Sequence, residues 1–97
     1  MVGRILVVDG VPTNRITMKV RLGSACYEAA IAASGQEALR IARLTHPQMV
    51  LIGASLPDMT GPELCAALRA QLHGGDLPIL IHARGEDRVA ALRAGAS

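Results

Sequence analysis

Arg4-Ile-Leu-Val-Val-Asp9, followed at once by Gly10-Val-Pro-Thr13, decides the fold. Four consecutive aliphatic residues, Ile5 to Val8, read as a strand covered on both faces, which is the habit of a central strand in a parallel sheet. Gly10 to Thr13 breaks that strand. Thr13 to Gly23 then offers Ile16 and Val20, together with Met18 and Leu22, as the apolar positions of a first helix, with Lys19 and Arg21 outward and Gly23 as its stop. A strand that runs through a short break straight into a helix is the first half of a parallel crossover unit.

The rest of the chain repeats this unit. Tyr27–Ala33 is alanine-rich and poor in strand propensity, yet it lies between a helix stop and a helix start, so it reads as a short edge strand. Ser34-Gly-Gln-Glu37 has capping-box spacing, and Ala38, Ile41 and Ala42 give the following helix one apolar face until His46-Pro47 ends it. Gln48–Ile52 is the third strand and Gly53–Thr60 the loop behind it. Thr60-Gly-Pro-Glu63 repeats the capping box, and Leu64, Leu68 and Leu72 recur along a third helix that Gly74-Gly75 ends. Leu77–His82 makes a fourth strand with Pro78 near its start, and Gly85–Ala94 a fourth helix with Gly95 as its C-cap. Four strand–helix units in series imply parallel strands joined by right-handed crossovers, in an open α/β sandwich whose site lies in the loops at the carboxyl ends of the strands.

Composition excludes several functions. The 97 residues suffice for one domain, 1–97, and the apolar half is almost wholly aliphatic, with one tyrosine and neither phenylalanine nor tryptophan. A formal charge of +2 with scattered arginines gives no nucleic-acid footprint. No segment has the pattern of a signal peptide or the length of a membrane span, so a cytoplasmic protein is expected. Cys26 and Cys65 lack metal spacing and read as packing residues; His46, His73 and His82 are too dispersed to suggest zinc. Gly10, Gly53 and Gly61 do not form a phosphate-binding loop, and no nucleophile elbow is present, so no catalytic residue is assigned.

Three stretches carry a resemblance: Ile5-Leu-Val-Val-Asp9 with Asn14-Arg15; Leu56-Pro-Asp-Met-Thr-Gly61 with Glu63-Leu64-Cys65 and Leu68-Arg69; and Leu92-Arg-Ala-Gly-Ala96. Together they resemble the receiver domain of two-component response regulators across essentially the whole chain. The resemblance implies a flavodoxin-like, CheY-like, three-layer open parallel sheet, here ending after the fourth strand–helix unit. It also implies the family's site: two acids after strand one, a phosphorylatable aspartate after strand three, a hydroxyl after strand four, a lysine after strand five, and Mg²⁺ among the carboxylates.

Position by position, this chain departs from that site. Asp9 matches the first acid and Gly10 stands where the second is expected. Gly53, four residues before Pro57, takes the phosphoacceptor position; His82 takes the hydroxyl position. Glycine has no side chain to phosphorylate, so the resemblance implies a degenerate receiver with a remnant acid pocket of Asp9, Gly10 and His82 and without its Mg²⁺ site. Asp58 is read as a turn residue and not as a substitute acceptor; Asp9 is read as a residual carboxylate bonded to loop amides and His82 as a histidine at a solvated strand end, with a His–Asp pair as the alternative.

Two function classes follow. One is a non-enzymatic signalling module that acts by contact with a protein partner or its own output domain. The other senses a small ligand in the vacated pocket. The wording of the first two stretches is most similar to receivers that precede a diguanylate cyclase domain, which would make the chain the N-terminal part of a longer regulator. Strands three and four are apolar in both parities while helix one alone would cover one face, so a homodimer is expected, built on the strand-four edge or the bare face, with burial of Ile79 and Ile81 as its sign.

Overall fold

The computed structural model describes residues 3–53, 56–72 and 77–81. Among these the order is β1 (Arg4–Val8), α1 (Pro12–Ser24), β2 (Glu28–Ala32), α2 (Gly35–Thr45), β3 (Met49–Ile52), α3 (Gly61–Leu72) and β4 (Ile79–Ile81). The expected fourth helix, its Gly95 cap, the Gly74-Gly75 stop, His73 and His82 lie outside the described residues.

The four strands form one parallel sheet in the order β2-β1-β3-β4. This is the flavodoxin-like arrangement. β1 lies between β2 and β3, and Ile5 to Val8 are all buried, as a run apolar in both parities requires. β2, for all its alanine, forms because Glu28–Ala32 pairs along the whole length of β1.

Side chains alternate across a strand, so the register sorts them by face. Leu6, Val8, Val50, Ile52 and Ile79 point one way and meet Ala38 and Ala42 of α2 and Leu64, Cys65 and Leu68 of α3 in a single core. A fully buried aliphatic side chain in such a core contributes roughly 1.5–3 kcal/mol. Gln71 Nε2 donates to the Leu39 carbonyl at 2.9 Å and ties α3 to α2.

Both predicted capping boxes are helix starts. Ser34 Oγ accepts from the Glu37 N–H at 3.2 Å; at α3 both halves close, Thr60 Oγ1 accepting from Glu63 N–H at 3.1 Å and Glu63 Oε1 from Thr60 N–H at 3.0 Å. His46 ends α2 in the left-handed region with φ 48°, its N–H bonded to the Ala42 carbonyl.

α1 lies on the opposite face, and of its expected apolar positions Met18 and Leu22 turn inward while Ile16 and Val20 do not. Val11, Arg15, Met18 and Leu22 are half-buried, whereas Ile16 and Val20 are exposed at 62% and 63%. The inward set recurs at i, i+4, i+7 and i+11, the stripe of a helix laid on a sheet. The strand-four expectation also needs correcting. Ile79 is fully covered by its own chain, and Leu80, which pairs with Leu51 and points to the α1 side, is the exposed residue, at 42%.

Candidate functional site

The carboxyl end of β1 carries Asp9, a buried carboxylate that is 7% exposed. Its Oδ1 accepts the Val11 N–H at 2.8 Å and its Oδ2 accepts from Asn14 Nδ2 at 3.2 Å. Arg15 Nη1 donates to the Asp9 backbone carbonyl at 2.7 Å, while the Asp9 N–H reaches the Ala32 carbonyl of β2 at 3.1 Å. The first turn of α1 therefore holds both the side chain and the backbone of Asp9. A buried carboxylate demands such donors. Val11, the N-cap of α1, offers no side-chain oxygen to the first turn, and its own N–H is taken by the Asp9 carboxylate.

Gly53 follows β3 and sits beside Asp9, its N–H bonded to the Val8 carbonyl at 2.6 Å. A methyl group at position 53 would fall inside contact distance of Asp9 Oδ2, 2.6 Å from Cγ and 3.1 Å from Cβ. The topology thus brings together two of the predicted site positions, Asp9 and Gly53, with Gly10 adjoining in sequence. Asp9 is bonded to a loop amide, that of Val11, as expected, and His82 lies outside the described residues.

Beside this pair opens a groove of about 650 Å³ on the α1 side of the sheet. Asp9, Asn14 and Gly53 mark its polar end, and Val7, Leu51 and Leu80 line its apolar floor. Among the described residues, no group of three histidine, cysteine or carboxylate side chains gathers to hold a metal. No described helix is long and apolar enough to cross a membrane.

The loop behind β3 does more than turn. Asp58 reaches across to α2, where Oδ1 accepts the Gly35 N–H at 2.8 Å and Oδ2 the Gln36 N–H at 2.9 Å. These two N–H groups, Gln36 first and Gly35 second, hold the Asp58 carboxyl below its ordinary value. Met59 packs on the same turn, so close that a methyl group at Gly35 would lie 2.5 Å from its Cγ. Asp58 is therefore a long-range helix cap, a role that local spacing could not announce. The cysteines divide: Cys65 is core, with its thiol pushed up by burial and pulled back in part by Arg69, but Cys26, expected to pack as well, is exposed.

The model of the response regulator receiver domain matches residues 5–97. The chain belongs to that family. Among curated relatives, this receiver is 38% identical over 96 residues to a transcriptional regulator, ycf27, of Cyanophora paradoxa, covering 96% of this chain and 39% of the relative. It is 36% identical to the response regulator MprA of Mycolicibacterium vanbaalenii, covering 96% and 41%. The receiver thus spans about two fifths of the length of these relatives. Among solved structures, chemotaxis protein CheY4 of Vibrio cholerae superposes with a TM-score of 0.92 at 29% identity, over 100% of this chain and 83% of that one. A receiver domain protein from Methanospirillum hungatei gives 0.89 at 31% identity, over 100% and 78%.

Proposed function

We propose that this receiver works in two-component signalling without being phosphorylated, as a cytoplasmic module that controls a partner or its own output domain by protein contact, self-association included. The observation that carries this reading is Gly53. It follows β3 beside the Asp9 carboxylate, where the family resemblance places the phosphoacceptor, and it has no side chain to accept a phosphoryl group.

The residues present do not fit the family's Mg²⁺. The cation takes near-octahedral oxygen ligands with carboxylates among them. Asp9 has both carboxylate oxygens engaged by Val11 and Asn14 and its carbonyl by Arg15, while Gly10 and Gly53 supply no side-chain ligand.

The relatives support an output beyond this chain. Those named as transcriptional regulators favour a DNA-binding output over the diguanylate cyclase that the sequence wording suggested, and nucleic-acid contact then belongs to that output and not to the receiver, whose arginines form no run. A second reading, a small-ligand sensor, is favoured by the groove of about 650 Å³ beside Asp9 and Gly53.

Incubation with acetyl phosphate followed by intact-mass and peptide mass spectrometry tests the leading reading. No adduct is expected; a stable phosphoryl adduct in the loops after β1 or β3 overturns it.

A further inference from the structure

We infer that the outward face of α1 is a docking surface for an acidic amphipathic helix of a separate protein partner. The inference rests on the reading that this receiver acts by contact, and it names the surface and the chemistry of what sits on it. Ile16 and Val20 lie one turn apart on that face and are exposed at 62% and 63%. β-branched residues lose side-chain freedom in a helix, so a solvent-facing helical position gains nothing from them that alanine or glutamine would not give better. Packing does not account for them either. Val11, Arg15, Met18 and Leu22 lay α1 on the sheet, and Asn14, Thr17 and Met18 are the α1 residues that border the groove. Two side chains at i and i+4 form a ridge, the shape that fits between the ridges of a second helix.

Charge sets the partner's chemistry. α1 holds Arg15, Lys19 and Arg21 and no carboxylate, not even in its first turn. Arg15 turns inward to the Asp9 carbonyl. Lys19 and Arg21 are exposed and, at about 100° per residue, border the ridge on its two sides. An apolar ridge between two cations matches a helix whose leucine stripe runs between carboxylates, and exposed charge of this kind steers the encounter of separate proteins. A second copy of this chain fits the face less well, because a two-fold contact would set Lys19 and Arg21 against their own copies.

Fluorescence anisotropy of a labelled synthetic helix, with leucines on one face and glutamates at its flanks, tests the inference beside a twin in which lysine replaces every glutamate. The acidic helix is expected to saturate the native chain below about 1 mM, to bind less well as salt rises, and to lose at least about tenfold in affinity with Ile16→Gln/Val20→Gln. Lys19→Gln/Arg21→Gln should weaken binding and flatten its salt dependence. All four side chains are exposed, so both variants should melt within about 4 °C of the native chain. If Ile16→Gln/Val20→Gln melts lower than that, Lys19→Gln/Arg21→Gln decides alone. Lys19 is the chain's single lysine, so a carbodiimide cross-link to a glutamate of the helix is expected there. No binding of the acidic helix, equal binding of its twin, undiminished binding by a folded variant, or a cross-link confined to the amino terminus overturns the inference. So does either rival occupant: phosphatidylglycerol vesicles that bind through Ile16 and Val20 where the helix does not, or a dimer in sedimentation that Ile16→Gln/Val20→Gln abolishes. Phosphoryl uptake by the native chain would defeat the preceding reading and leave this binding intact, so the two fail separately.

Discussion

Ile79 and Leu80 are neighbours in sequence on opposite faces of β4, and truncating each to alanine separates the two sides of this sheet. Ile79 is fully buried against Val50, Leu64 and Leu68 in the α2/α3 core, and a cavity left there costs roughly 2–5 kcal/mol. Leu80 keeps 42% of its surface exposed on the α1 side, so about half the transfer value of a buried leucine is at stake, roughly 1 kcal/mol. In a domain of this size each kcal/mol moves the melting temperature by roughly 4–8 °C, so Ile79→Ala should fall by well over about 8 °C and Leu80→Ala by less. Thermal melts at two protein concentrations are the assay. Equal losses for the two variants would refute the face assignment. A Leu80→Ala loss that grows with concentration would show Leu80 buried between copies, as proposed self-association through the α1-side face requires.

Three further outcomes are expected. Asp58, whose folded carboxyl titrates below its ordinary value, adds stability that is fully present above that value and fades as pH falls through the lowered one; the gap in melting temperature between native chain and Asp58→Ala should therefore narrow in acid, and a gap that is constant or widens would contradict the cap. Cys26 holds φ at 66°, where a side chain is strained and glycine is not, so Cys26→Gly should stabilise by about 1 kcal/mol despite the looser unfolded chain, and a lower melting temperature would argue against that strain. Millimolar Mg²⁺ should leave the melting curve in place, because a ligand stabilises only by binding the folded state; a rise of several degrees would show a cation site that Asp9 does not reveal.

The sheet and its helices were legible because each rests on local pattern: Ile5–Val8 is apolar in both parities, and the Ser34 and Thr60 boxes mark helix starts by spacing alone. What escaped was set by hydrogen bonds that neither periodicity nor turn spacing encodes. α1 carries apolar residues around much of its circumference, so periodicity could not fix its rotation; Asn14 and Arg15 on Asp9 fix it, and Ile16 and Val20 turn outward. Asp58 bonds across 23 residues to Gly35, beyond the reach of any turn rule. In the site, Asp9 and Gly53 could be named from the resemblance and the strand ends. The particular hydrogen bonds that hold the Asp9 carboxylate could not, because they come from the way the chain turns into α1 at Val11 and Asn14.

The central claim is that this receiver signals without a phosphoacceptor, and phosphotransfer tests it most directly. The native chain is incubated with acetyl phosphate and Mg²⁺ beside an intact receiver as positive control, and both are read by intact mass. The account predicts an adduct of phosphoryl mass on the control alone. A phosphorylated peptide from this chain, from the Asp9 loop or from the segment around Gly53 and Asp58, would contradict it.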